Sequence, residues 1–308
     1  MHRMLRIPPA YYLFAVMLVL LALTRPQLMS LPVMGTFIRQ VAPLGILVLG
    51  QLLVMRVRSI DLSGAGVILI VNYLISSGTF PQTSVGFYAA IAVSCGLAVG
   101  LFNGLMVGLR RSSAVIVTLA VSIILVGIVQ YLASGKPPGD VPKVLTGLYA
   151  LRPAGVPLAI LIWVGLTLAL SLFLGRFVYG RFVDAVGENP TAAHFAGVPV
   201  ARTVIAAHVI AGLMAGIAGL VQTASIAVGS IRFGLDLPLN AVAATILGGV
   251  IFGRGEGGVW GPFFGVMFFA LLFVVMTTFG IDEPGKLIAQ GIIILLAAIF
   301  YGLRNARG

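Results

Sequence analysis

The chain has 308 residues, 60% of them hydrophobic and only 9% charged, and its mean hydropathy of +1.13 excludes a soluble domain. Its 19 basic and 8 acidic residues give a formal charge of +11, but the basic ones stand singly or in pairs between apolar runs. No basic stripe interleaved with stacking aromatics is present, so the charge reflects membrane topology and not a nucleic-acid partner. Cys95 is the only cysteine and sits inside an apolar run, which excludes a disulfide framework and a cysteine-cluster metal site.

At the start of the chain, His2, Arg3 and Arg6 precede an apolar run from Ala10 to Leu23, like the opening of a secretory signal. Arg25-Pro26 makes a poor cleavage site, so the run is expected to stay as a first transmembrane helix. Further apolar runs of about 20 residues, the length that crosses ~30 Å of hydrocarbon, recur to the C-terminus. About ten segments result, at 8–24, 33–55, 60–78, 85–109, 113–134, 155–175, 203–227, 237–252, 258–279 and 285–303. With the N-terminus inside, 12 of the 19 lysines and arginines fall on inner connections, including Arg3, Arg6, Arg304 and Arg307 at the two ends. That excess predicts a multi-pass membrane protein with both termini cytoplasmic. The longest outer connection, 135–154, carries Pro137-Pro138-Gly139-Asp140 and Pro142 and reads as a loop. Residues 1–308 therefore form one all-α transmembrane domain.

The third segment opens Arg58-Ser59-Ile60-Asp61-Leu62-Ser63-Gly64-Ala65-Gly66, and the eighth opens Gly234-Leu235-Asp236-Leu237-Pro238-Leu239-Asn240. Each begins with a carboxylate among apolar residues, five segments apart and so in opposite orientation. The pattern predicts a five-plus-five inverted repeat. Both carboxylates stand at segment starts, where a helix cap or, for Asp61, an ion pair with Arg58 is the preferred reading over a proton relay. Small residues recur at helical spacing: Gly100, Gly104 and Gly108 in the fourth segment, and Gly212, Ala215, Gly216 and Gly219 in the seventh. Packing within the chain is preferred over a subunit interface. Asn72, Asn103 and Gln222 lie deep in apolar segments. With Asp61, Ser63, Asp236 and Asn240 they could line a path for a hydroxylated solute, and hydrogen bonding between helices accounts for them equally well.

Residues 176–202 are the only long polar stretch on the inner side. Within it Asn189 suits an N-cap, Pro190 the first helical position, and Gly197 a left-handed end that Pro199 makes final. The result is about two turns of helix, too short to stand alone in water, carrying one exposed aromatic. Such an element is expected to dock: Phe195 with Ala192 and Ala193 into a groove of a partner, Glu188 and His194 at the rim. Packing of Phe195 back onto the membrane domain is the structural alternative.

An active site is hard to assemble from the rest. His208 is alone in the seventh segment and reads as a packed helix-interface histidine. No serine occupies a nucleophile elbow. Gly253-Arg254-Gly255-Glu256-Gly257-Gly258 lacks the lysine and hydroxyl of a phosphate loop and reads as a cytoplasmic turn. The chain is not expected to be an enzyme, and energy for uphill movement would come from another chain or from an ion gradient.

Three regions resemble the branched-chain amino acid and monosaccharide group of bacterial ABC-importer permeases, the ribose-type subgroup in particular. They are Ile60-Asp61-Leu62-Ser63; Ala185 to Ala193 with Gly197-Val198-Pro199-Val200; and Asp236 onward, with Ala243-Ala244-Thr245-Ile246-Leu247-Gly248-Gly249 and Gly253 to Gly261. The resemblance implies a type II-like ABC importer permease that binds no cofactor itself. A cytoplasmic ABC ATPase would hold ATP and Mg and dock on the coupling loop 176–202. A second permease subunit, identical or not, would complete the membrane core, and a periplasmic binding protein would deliver a monosaccharide. Arg58-Ser59 replaces the family's glycine pair before Ile60, and Val115-Ile116-Val117-Thr118-Leu119-Ala120 also departs from its pattern, which suggests a heterodimer with a more typical permease. The alternative function is an ion-coupled secondary transporter.

Overall fold

The structure, a computed structural model, describes residues 8–80, 84–232, 234–250, 252 and 257–305. They form thirteen α-helices: α1 (Pro9–Thr24), α2 (Leu31–Arg56), α3 (Gly64–Ser76), α4 (Val85–Gly108), α5 (Ala114–Ala133), α6 (Lys143–Ala150), α7 (Leu158–Arg176), α8 (Val178–Glu188), α9 (Pro190–Phe195), α10 (Val200–Ile226), α11 (Leu237–Leu247), α12 (Trp260–Thr278) and α13 (Glu283–Asn305). Among the described residues no strand occurs beyond one antiparallel bridge between Asp140 and Val228. Six of these helices, α2, α4, α5, α7, α10 and α12, are long and apolar enough to cross a membrane.

The architecture follows from which helices are apolar all round. From Ala42 to Arg56 every residue of α2 is buried, and within that stretch only Gln51 and the terminal Arg56 are polar, so α2 is the central post. Beside it runs α10, whose small residues let backbones close up. A Cβ on Gly212 would stand 2.2 Å from the carbonyl oxygen of Gly96 on α4, and one on Gly216 would stand 2.2 Å from that of Ala92. In the same seam a Cβ on Gly100 would stand 2.5 Å from the His208 carbonyl oxygen. The small-residue spacings of the fourth and seventh segments thus meet each other inside the chain, in the close contact that lipid-embedded helices use. On the other side of α2, Trp163 of α7 occupies the space left by Gly45, where a Cβ would lie 2.1 Å from the indole. The same indole stacks on Phe263 of α12 with centroids 4.4 Å apart. By contrast α5 turns Ile116, Ile123, Ile124 and Tyr131 outward, surface that only lipid or another subunit can cover favourably.

Three boundaries differ from the sequence reading, each for a local reason. The third segment becomes helical only at Gly64, and α3 has 13 residues, about 20 Å. Arg58 is left-handed at φ +64°, and the Asp61 carboxylate accepts from the Ser63 amide at 2.8 Å, which holds the chain in an extended turn. The eighth segment ends as helix at Leu247, followed by Gly249 at φ +85°. The outer connection 135–154 is not all loop: after Pro142 no proline recurs until Pro153, and the eight-residue α6 occupies the interval with Leu145 buried. The expected turn at Gly253 to Glu256 and the basic residues Arg3, Arg6 and Arg307 lie outside the described residues.

Candidate functional site

The polar segment 176–202 holds two helices. The cap residues of the sequence predict α9 and leave α8 unmarked. In α8, Gly180, Val183, Val186 and Gly187 are buried, at the spacing of one helical face, while Arg181, Asp184 and Glu188 are exposed. That periodicity was available in the sequence but was hidden by the low overall hydropathy of the stretch.

Asn189, in extended backbone, separates α8 from α9. The Asn189 Oδ1 accepts from the amides of Thr191 and Ala192, both at 3.0 Å, capping α9. At the other end Gly197 is left-handed at φ +82°, and the Val198 amide donates to the Ala193 carbonyl at 2.9 Å, closing the last turn. Within α9, Phe195 is 85% exposed and Ala193 only 4%. The expectation that Ala193 joins Phe195 in a docking face is therefore corrected: two residues apart on a helix are about 200° apart, so Ala193 faces the protein. Ala192, three residues before Phe195, shares its side and is exposed, as are Glu188, His194 and Gly197.

This segment is fastened to the membrane body at three points. The Arg56 guanidinium pairs with Asp184. From Arg58, Nε donates to the Gly187 carbonyl at 2.9 Å and a terminal nitrogen to the Glu188 carbonyl at 3.1 Å. The Tyr179 hydroxyl donates to the Thr203 carbonyl at 3.1 Å, and burial raises its phenol above the ordinary tyrosine range. The expected ion pair between Arg58 and Asp61 is replaced by these contacts, because the left-handed backbone at Arg58 turns its side chain toward α8.

Asp61 instead enters a buried polar cluster. Its Oδ1 accepts from the Ser63 amide and from the Ser63 hydroxyl at 2.6 Å, and Asn103 on α4 donates to that hydroxyl at 2.9 Å. Thr118 on α5 accepts from the Leu62 amide at 3.0 Å. His208 on α10 places Nε2 2.9 Å from the Ser59 hydroxyl, with Nδ1 3.8 Å from Asp61 Oδ2. His208, Asn103 and Thr118 are fully buried. The turn 58–63 is thereby joined to α4, α5, α8 and α10.

On the opposite side, the Asn72 Oδ1 accepts from the Ser230 amide at 2.8 Å, and the Gly229 amide donates to the Gly139 carbonyl at 2.7 Å. Asn72 thus pins the chain after α10 against the 135–142 connection. Of the expected path residues, Asn72, Asp61 and Ser63 are occupied in packed hydrogen bonds, whereas Asn103 uses only its Nδ2 and its buried Oδ1 has no partner among the described residues. Gln222 is buried on α10. Asp236 is exposed and accepts from the Asn240 amide at 3.1 Å, and the Asn240 Oδ1 has no hydrogen-bond partner among the described residues.

Between α9, the 57–60 turn and the 108–115 turn lies an open cleft of about 920 Å³ lined by Arg58, Arg111, Arg202, His194 and Phe195 among others. No carboxylate among the described residues lines it.

The family model of the branched-chain amino acid transport system permease component matches residues 33–298. The ribose import permease protein RbsC of Escherichia coli K12 is 26% identical over 288 residues, covering 92% of this chain and 90% of that protein. The fructose import permease protein FrcC of Rhizobium meliloti is 28% identical, covering 86% of this chain and 76% of that protein. The autoinducer 2 import system permease protein LsrC of Klebsiella pneumoniae is 30% identical, covering 96% and 87% respectively. No solved structure matches the chain.

Proposed function

This chain belongs to the family of branched-chain amino acid transport system permease components, and we propose that it is the membrane-spanning subunit of an ATP-driven importer that carries a monosaccharide-sized polar solute into the cell. The relatives that match over most of its length are import permeases for ribose, fructose and autoinducer 2, which favours a small hydroxylated cargo. Membership of this family does not favour an ion-coupled secondary transporter. The chain is a multi-pass inner-membrane protein. The proposed crossings are the six long helices together with α1, α3, α11 and α13, arranged as two inverted halves of five with both termini cytoplasmic. The excess of arginines on the inner connections supports that orientation.

The observation that carries the proposal is α9: a helix capped at both ends and bearing a phenylalanine that is 85% exposed. Two turns of helix held this firmly, with their one aromatic in solvent, fit a docking knob. Its partner is a cytoplasmic ATPase that holds ATP and Mg, while a periplasmic binding protein delivers the solute and a second permease subunit covers the outer face of α5. Of the expected path residues, the exposed Asp236 keeps its carboxylate available to a hydroxylated solute at the outer mouth.

Phe195→Asp tests the docking role. The variant is expected to reach the membrane at normal levels but to lose ATP-dependent uptake and transport-coupled ATP hydrolysis. Uptake at the native rate would remove α9 from the coupling surface.

A further inference from the structure

Three arginines from three separate elements face the cleft beside α9, and each occupies a position that its own local structure disfavours. Arg58 and Arg111 have φ of +64° and +54°, left-handed backbone that glycine or asparagine adopts more readily than a long side chain. Arg202 is the third residue of the 27-residue α10, so its charge sits at the end of the helix where the macrodipole is already positive. Arg58 has a visible reason for its conformation in the carbonyls of Gly187 and Glu188. Arg111 and Arg202 are exposed and find no carboxylate along the described wall of the cleft. The cleft also receives the first turns of α5 and α10, neither of which has an acidic residue or a side-chain cap. All these features push the local potential the same way, and an incoming anion would offset each of them.

We infer that this cleft receives acidic side chains of the cytoplasmic ATPase, so that docking combines an aromatic knob with a basic socket. The inference rests on the docking reading of α9. Two observations select a protein over a lipid headgroup. One wall of the cleft is α9 itself, so whatever covers Phe195 also closes the cleft mouth. Phe195 also stands at its lip beside the arginines, and a desolvated aromatic next to arginine is the composition of a protein-interface hot spot. The hydroxyls of Thr191, Ser112 and Ser113 line the same space and can donate to carboxylate oxygens. Arg111 and Arg202 then act on encounter and register, as charges at an interface rim do, while Phe195 supplies the buried area.

The test uses the full permease in nanodiscs and the ATPase subunit of the same transporter. Its affinity is measured across a series of KCl concentrations for the native chain, for R111Q/R202Q and for Phe195→Asp. The double glutamine variant is expected to bind the ATPase about tenfold more weakly at low salt and to show a flatter salt dependence. Its thermal stability as an isolated permease should be unchanged or higher. If it binds like the native chain with the same salt dependence while Phe195→Asp loses binding, the socket is overturned and the knob stands. If Phe195→Asp also binds normally, the docking reading itself falls. Native mass spectrometry in nanodiscs containing phosphatidylglycerol supplies the last arm: loss of bound phosphatidylglycerol from the double variant, with ATPase binding intact, would assign the cleft to lipid and overturn the proposal.

Discussion

Arg58, just past the end of α2, donates from its Nε to the carbonyl of Gly187 at 2.9 Å, joining residues 129 positions apart. The carbonyls of the last turn of α8 lack partners within the helix and carry its negative end, so a guanidinium there is a cap supplied from another element. The next residue, Ser59, meets His208 of α10. Two consecutive residues thus connect the end of α8 to the longest helix of the core, and a displacement of α9 by a docked partner has a short route inward.

Arg58→Gly isolates the cap, because glycine keeps the left-handed backbone and removes only the guanidinium. The exposed site discounts its two bonds to about 1 kcal/mol in all. Folding and membrane level should therefore persist, while solute moved per ATP hydrolysed falls several-fold. Reconstituted proteoliposomes measure that ratio directly, and an unchanged ratio would show that the contact plays no part in transmission.

The seam between α4 and α10 predicts a sharp contrast between two glycine substitutions. In Gly212→Ala the new Cβ would lie 2.2 Å from the Gly96 oxygen, and forcing apart two backbones in a packed seam costs about 1–3 kcal/mol. Gly127→Ala on α5 meets nothing within 4 Å and replaces a poor helix former with the best one. Thermal unfolding of the detergent-solubilised permease should drop for the first and hold or rise for the second. Equal losses would mean that the seam is looser than its geometry indicates.

How much of this was legible beforehand depends on what kind of signal each feature leaves. Hydropathy located α1, α2, α4, α5, α7, α10 and α12 to within a few residues, because length and apolarity act along a single segment. The caps of α9 were equally local: Asn189, Pro190 and Gly197 each state a backbone preference. The role of Arg58 was not legible, since its partners are main-chain carbonyls 129 and 130 positions away, and a carbonyl leaves no mark in a sequence. Asn72 and Asn103 were ambiguous for a related reason. A buried amide must find a partner, but composition does not say whether that partner is a solute or a neighbouring turn. The basic cleft needed the fold, because Arg58, Arg111 and Arg202 come from three connections far apart in the chain.

Tyr179 gives a pH prediction with a definite sign. Burial raises its phenol above the ordinary tyrosine range, so in the folded chain it stays neutral where an unfolded chain would begin to ionise, at about pH 10. Stability from this site is therefore complete below about pH 10 and falls as pH rises beyond it, since there the unfolded state binds fewer protons than the native one. Tyr179→Phe removes this dependence and loses the bond to the Thr203 carbonyl, about 1 kcal/mol. Unfolding followed between pH 9 and 11 should show a steeper alkaline decline for the native chain than for the variant, and parallel curves would contradict the burial of this hydroxyl.

Asp61 separates an anchoring carboxylate from one that takes part in transport. Its Oδ1 accepts two hydrogen bonds from Ser63, a geometry that an asparagine oxygen can reproduce and an alanine cannot. Asp61→Ala leaves the Ser63 amide buried without its acceptor, at a cost of about 1–3 kcal/mol, and also frees the hydroxyl that Asn103 uses. If the carboxylate serves to hold the 58–63 turn, Asp61→Asn should transport within about twofold of the native rate, a difference of under 1 kcal/mol. Asp61→Ala should then lose thermal stability and uptake together. A carboxylate that exchanges protons or touches the solute predicts the reverse for asparagine: native stability with uptake abolished. Measuring both quantities on both variants decides between them, and the four donors and acceptors around Ser63 favour the anchor.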